Sequence, residues 1–243
     1  MGIAVEIAVQ DVAGVRIALA EGADRVELCS ALGMGGLTPS AALIRSAVAI
    51  AQEEGRPGYV QVLVRPRGGG FVYDADEVAL TAADIGFARA SGAGGVVVGA
   101  LDERSAVDAD AVRRFVDAAE GLPVTFHRAL DVAADPLEAL ETLAALGVDR
   151  VLTSGGAARS GEGLDALAAL VHRSAGRVEI MAGGGVRVDD IPSLVAAGVD
   201  AVHLSARDTI TGAPSGPGGG AAAYDITDAA TVAAAVAAAR VAR

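Results

Sequence analysis

A histidine that closes an apolar run and is followed at once by an arginine is the first place to look for chemistry in this chain. The run is Pro123-Val124-Thr125-Phe126-His127-Arg128-Ala129-Leu130-Asp131, and His127 is one of only three histidines. In a strand, successive side chains point to opposite sides. If Val124 and Phe126 pack on outer helices, His127 points to the inside of whatever the strand helps enclose. The same parity rule puts Glu6, Glu27, Arg65 and His203 on that inside, with Cys29, Ser154 and Ser205 near its rim. Imidazole titrates near neutral pH, so His127 with Glu27 or Glu6 is the natural acid–base pair, and His203 joins the set. Buried charges must be paired, and Arg65 is the obvious counter-ion for either glutamate. A purely structural charge network would use the same residues. Arg128 has the opposite parity and is expected against the helix layer or a neighbouring loop.

Three stretches suit an anion. Arg65 and Arg67 share parity across Pro66 and could clamp a carboxylate or phosphate in a bidentate manner. The run Gly183-Gly184-Gly185 lets backbone N–H groups approach an anion closely, with Ser205 and Ser154 as further donors. For a soft metal such as Cu(I), the choice of ligands is Cys29, Met34 and Met181. Two histidines with one or two glutamates would suit a borderline ion, but no helical His-x-x-x-His or paired-cysteine spacing supports one. Cys29 also fits a small buried hydrophobe, and His172 a surface position near a helix end.

The elements that must position these residues follow from a repeat. Gly22-Ala23-Asp24-Arg25-Val26 resembles Gly147-Val148-Asp149-Arg150-Val151 and Gly198-Val199-Asp200-Ala201-Val202, with a weaker copy at Gly92-Ala93-Gly94-Gly95-Val96. Each reads as a glycine closing a helix, a short turn, then a strand. Four other strands are expected at Ile3–Val9, Tyr59–Arg65, Pro123–His127 and Arg177–Ala182, and helical patterns separate all of them. Strict alternation of strand and helix implies a parallel sheet. Eight such units in one domain of 243 residues predict a single (βα)8 TIM barrel over residues 1–243. The charged set then falls at the C-terminal ends of the strands, where barrel enzymes place their sites, and the glycine run follows strand seven, a frequent phosphate-binding position. Glu179 lies early in its strand, at the opposite face, and reads as a stability or solvated residue. Residues Arg207–Tyr224 show no strand or helix pattern and are expected to form an irregular loop, either a lid or disordered.

Composition narrows the function classes. The formal charge of −12 disfavours nucleic acid and anionic membrane as partners. All 19 basic residues are arginine, which removes a Schiff-base lysine, with or without pyridoxal phosphate, and any phosphate-loop lysine. No nucleotide cofactor is indicated. The single cysteine excludes an intrachain disulfide and fits a reducing cytoplasm. Met1–Gln10 lacks the basic start and unbroken apolar run of a signal peptide.

With these residues in view, the chain resembles the CutC copper-homeostasis family over nearly its whole length. The blocks that carry the resemblance are Gly22–Ser30, Gly35–Ser40, Arg65–Gly69, Val124–Ala129, Arg150–Gly155 and Met181–Val186. The resemblance implies a cytoplasmic TIM barrel concerned with copper homeostasis and copper binding, and a homo-oligomer. It makes Cys29 the one matching thiol for Cu(I), because Ala8 stands where copper-binding members have a second cysteine. Gly70 likewise replaces an aspartate of the arginine-rich loop. Two functions are therefore carried forward. One is a copper-homeostasis protein with an anion-compatible mouth. The other is a barrel isomerase, epimerase or lyase acting on a small anionic or phosphorylated metabolite.

Overall fold

The computed structural model describes residues 3–212, 216 and 223–241. Eight parallel strands close into a barrel in chain order: β1 (Ala4–Val9), β2 (Arg25–Leu28), β3 (Val60–Leu63), β4 (Gly95–Val98), β5 (Val124–Phe126), β6 (Arg150–Thr153), β7 (Glu179–Gly183) and β8 (Ala201–Leu204). Helices follow them as α1 (Val12–Ala20), α2 (Ala41–Glu53), α3 (Ala75–Ala90), α4 (Ala109–Ala119), α5 (Pro136–Ala145), α6 (Leu164–Ser174), α7 (Ile191–Ala196) and α8 (Ala229–Val241). This is the expected (βα)8 TIM barrel.

The strands alternate as the sequence implies. Val5, Ile7, Val26, Leu28, Val96, Val98, Val124, Phe126, Ile180 and Val202 join the apolar layer beneath the helices. Among the described residues, the inside of the barrel holds two small apolar groups, Cys29–Leu63–Val97 and Leu152–Met181–Ala201. Burial of the outer layer supplies the main hydrophobic stabilisation, which leaves the inside free to carry charge.

The glycine–aspartate repeat has a second job beyond the turn. Gly22, Gly147 and Gly198 close their helices at positive φ. The aspartate two residues on then accepts a hydrogen bond from the start of the preceding barrel strand or its neighbour. Asp24 takes the Val5 N–H, Asp149 the Val124 N–H and Asp200 the Ile180 N–H, each at 2.8 Å. Each carboxylate thus satisfies a backbone donor at the bottom of the barrel. The weaker copy lacks the aspartate for a steric reason: a Cβ at Gly94 would lie 2.0 Å from the Gly58 carbonyl oxygen.

The segment after β8 departs from the irregular loop expected there. Arg207–Thr211 (β9) and Ala223–Thr227 (β10) pair as an antiparallel ribbon over five residues. Its alternation is hard to read in sequence because β9 is exposed along its whole length. Most of the remaining segment, 213–215 and 217–222, lies outside the described residues. None of the helices among the described residues is long and apolar enough to cross a membrane.

Candidate functional site

Three charged side chains form a line inside the barrel. The pairing register sets Glu6 of β1 level with His203 of β8 on one side and Arg25 of β2 on the other. One Glu6 oxygen accepts from Arg25 Nε at 2.6 Å, and the other contacts His203 Nδ1 at 2.8 Å. The second ring nitrogen of His203 lies 3.6 Å from Glu27 Oε2. Burial opposes a charge on Glu6, but the His203 hydrogen bond and the Arg25 guanidinium outweigh it and hold the carboxyl at about 2. Burial also opposes the imidazolium of His203, yet Glu6 and Glu27 raise its pKa above the ordinary value. Burial, with the nearby Glu6 charge, pushes Glu27 up. The line therefore runs from a carboxylate held charged, through an imidazole whose protonated form the glutamates favour, to a carboxyl whose protonated form burial favours.

Glu27 ends this line at a cavity of about 240 Å³ in the C-terminal mouth of the barrel. His203, Arg65, His127, Arg128, Gly184, Gly185, Ser205 and Arg207 also line it. Glu6 lies one layer deeper and is fully buried.

The expected acid–base pairing of His127 with a glutamate is corrected: both glutamates contact His203 instead. His127 is held on its own. Its Nδ1 accepts the Ala129 N–H at 3.2 Å, and Phe71 tilts against the ring at 4.8 Å between centroids. Burial, reinforced by the positive Arg65, lowers its pKa to about 3, so the ring is neutral near physiological pH.

Arg65 is not the glutamate counter-ion. Nη1 donates to the carbonyls of Met34, Gly35 and Gly36, Nη2 to that of Gly69, and the guanidinium lies over Phe71. It ties the loop after β2 to the loop after β3 at the rim. The counter-ion is Arg25, whose parity matches Glu27 two residues on and could have revealed it. Arg25 also donates to Glu179 at 2.7 Å, and Arg150 joins the same carboxylate at 2.8 Å. Glu179 is thus a structural acceptor at the lower end of the barrel.

Arg67 does not meet Arg65 in a clamp. Its fork is engaged by Glu77 and by the carbonyls of Gly68, Gly70 and Val72, away from the mouth. Arg128 takes the place that parity assigned elsewhere. The strand ends at Phe126 and a 3₁₀ turn spans Arg128–Val132, so alternation no longer applies. Arg128 Nε donates to Asp131 at 2.7 Å, and Nη2 reaches Ser154 Oγ at 3.4 Å. Its guanidinium lies against Gly184, where a Cβ would come within 2.7 Å of Cζ. Asp131, which sequence reasoning missed, also accepts from Thr153 Oγ1 and the Ser154 amide. The signal for it was the Arg-x-x-Asp spacing on the turn.

Ser154 is wholly buried and its hydroxyl donates to the Ala157 carbonyl at 2.7 Å, so it supports Arg128 from below rather than lining the mouth. Gly183 is the last residue of β7, where a Cβ would strike Leu152 at 2.3 Å. It is a packing glycine, and only Gly184 and Gly185 of the run line the cavity.

The soft ligands do not come together. Cys29 is fully buried, and its thiol donates to Glu27 Oε2 at 3.3 Å. Burial and the Glu27 charge raise its pKa well above the ordinary thiol value, whereas a metal ligand must be a thiolate. Met34 is exposed at the rim, and Met181 is buried in the other interior group, its sulfur 3.3 Å from Arg25 Nη2. Among the described residues no three His, Cys, Asp or Glu side chains are disposed to hold a metal ion. The residues present do not fit a sulfur-ligated Cu(I) site.

The CutC family model matches residues 3–208. The chain belongs to the CutC family. It is 43% identical over 204 residues to a CutC family protein of Histophilus somni, covering 84% of this chain and 82% of the relative. A Caulobacter vibrioides CutC family protein is 45% identical over 209 residues, with 86% and 83% covered. A solved Streptococcus agalactiae structure, provisionally named a copper homeostasis protein CutC, superposes with a TM-score of 0.78 at 33% identity, covering 84% of this chain and 98% of that one. The CutC match ends two residues into β9, so nearly all of the ribbon lies beyond it.

Proposed function

We propose that the barrel mouth of this CutC-family chain is a catalytic site that moves a proton on a small anionic metabolite. The observation that carries this reading is the Glu6–His203–Glu27 line, which delivers a carboxyl of raised pKa to a cavity also lined by a guanidinium and a glycine turn. Glu27 would take and return the proton, with His203 beside it and Glu6 as a fixed counter-charge behind. Arg128, oriented by Asp131 over Gly184, would hold the anion, with Ser205 and Gly185 as further donors at the place where barrels commonly bind phosphate. An isomerase, epimerase or lyase reaction fits these parts.

The test is a thermal-shift screen of the full chain against inorganic phosphate and a panel of small phosphorylated and carboxylated metabolites. Ligand binding to the native state raises apparent stability. A stabilising anion whose effect disappears in Arg128→Ala is expected. Equal shifts in wild type and variant, or no shift across the panel, would overturn the reading.

The copper role in the family's name would on this reading be indirect, exerted through the metabolite rather than through sulfur ligation. Anaerobic Cu(I) titration of wild type and Cys29→Ala tests that point. A Cys29-dependent site tighter than about micromolar, or about −8 kcal/mol, would establish direct binding instead. A reducing cytoplasm, and a homo-oligomer as the working form, suit the single protonated thiol and the family.

A further inference from the structure

His127 lines the mouth, and the proposed proton transfer gives it no task. Its Nδ1 accepts the Ala129 N–H, so that nitrogen carries no proton, and in the neutral ring the proton sits on Nε2. Nε2 is buried and has no hydrogen-bond partner among the described residues. A buried donor of this kind is costly to leave unpaired, and only 6% of the residue remains exposed. The ring is also fixed. Phe71 lies on it at 4.8 Å, and Gly99 is small because a Cβ there would come within 2.3 Å of ring Cε1. The fold thus holds a rigid N–H donor on a residue that lines the cavity and gives it no acceptor among the described residues.

We propose that His127 Nε2–H binds and polarises a carbonyl oxygen of the substrate, which assigns the mouth to carbonyl compounds that bear an anionic group and a C–H bond next to the carbonyl. This rests on the proton-transfer reading above and names its substrate class. Glu27 on β2 and His127 just past the end of β5 line the same cavity, so both can address one small molecule between them. The Glu27 carboxylate removes the proton on the carbon beside the carbonyl. The C–H electron pair becomes the C=C bond, and the carbonyl π pair moves to oxygen, where the His127 N–H stabilises the charge. The carboxyl then returns its proton to carbon, and the electron flow reverses. His127 keeps its proton throughout. A neutral imidazole acting as an electrophile, rather than as an acid or base, is an established way to stabilise an enediolate. The very low pKa of His127 agrees with that role.

The experiment uses the full chain and two phosphate probes. Phosphoglycolohydroxamate mimics the enediolate, and glycerol 3-phosphate offers the anion without a carbonyl. Wild type is expected to bind phosphoglycolohydroxamate at least about tenfold more tightly, a difference of about 1.4 kcal/mol. His127→Phe should lose that preference while binding glycerol 3-phosphate as wild type does, which also reports that the variant is folded. His127→Gln, which retains an N–H donor, should recover part of it. In ¹⁵N-histidine spectra, His127 should stay in the Nε2–H form from pH 5 to 8, and that proton should move downfield with phosphoglycolohydroxamate. If both probes bind wild type and His127→Phe alike, or if the ring titrates within that range, the assignment of His127 falls and the anion site stands. If neither probe binds wild type, the reading of the mouth falls and the assignment with it.

Discussion

At the lower end of the barrel, Arg25 joins Glu6 and Glu179, and Arg150 joins Glu179 and Thr125. At the mouth, Glu27 has a raised pKa, His127 has an unpaired donor and Arg128 lies over a glycine turn. Both ends place charged and polar groups at buried or largely buried positions. Below, each charge faces its opposite, and of the arginine nitrogens there only Arg150 Nε is buried without a partner among the described residues. Above, the groups are held rigidly by their surroundings but not by one another. Closed pairing below serves the fold, and open groups above are what a ligand can complete. Glu6 belongs to both regions, with one oxygen committed downward to Arg25 and the other upward to His203.

The largest effect should come from opening the closed end. Arg25→Met leaves Glu6 and Glu179 facing an apolar side chain, and breaking a buried pair from one side costs about 3–5 kcal/mol. Chemical denaturation should show a loss of that order. An unchanged midpoint would mean that the lower network does not hold the barrel together.

Acid separates the two ends next. His127 has a pKa of about 3 in the fold against 6.5 ordinarily, so the unfolded chain takes up the proton first. Its contribution is complete above pH 6.5 and is lost as the pH falls toward 3. Glu6, at about 2 against 4.5, begins to lose its contribution only below pH 4.5. His203 has the opposite sign: its raised pKa stabilises the fold at low pH, and that contribution fades as the pH rises through it. Stability measured against pH should therefore fall in acid, and His127→Phe should flatten the fall from pH 6.5 down to about 3, leaving the Glu6 share that begins below pH 4.5. An identical slope in the variant would remove His127 from the account.

Glu27→Gln should divide function from fold. The wild-type carboxyl gains little from its burial, so stability should change by less than about 1 kcal/mol, whereas proton exchange on a bound carbonyl compound should drop by roughly 10²–10⁴-fold. A large loss of stability would place Glu27 with the closed network. The smallest effect belongs to Arg67→Ala. That arginine pairs with Glu77 in a half-exposed contact, and such pairs contribute about 0–1 kcal/mol. Anion binding at the mouth should be untouched, and a loss of binding would restore the clamp of two arginines.

Strand parity made the barrel and much of its interior legible. Alternation placed Glu6, Glu27, His127 and His203 inside because strands are regular and their outer faces are Val- and Leu-rich. It failed where regularity stops. Arg128 sits on a 3₁₀ turn, and Arg65 and Arg67 lie in loops whose carbonyls take up their donors. The repeated aspartates showed where the strands begin, but their bonds across to Val5, Val124 and Ile180 depend on register between strands, which no single segment encodes. Arg25 and Arg150 could have been read as interior by the same parity and were overlooked because each stands at the first position of its strand.

The ribbon formed by β9 and β10 starts at Arg207, a wall of the mouth, and returns at Thr227, whose hydroxyl oxygen occupies the space a Cβ on Gly14 would need. Both of its feet stand on the barrel, while its length projects almost wholly past the CutC match. Because β9 and β10 pair with each other and with no barrel strand, a change in the ribbon can reshape the mouth without shifting the register of the barrel.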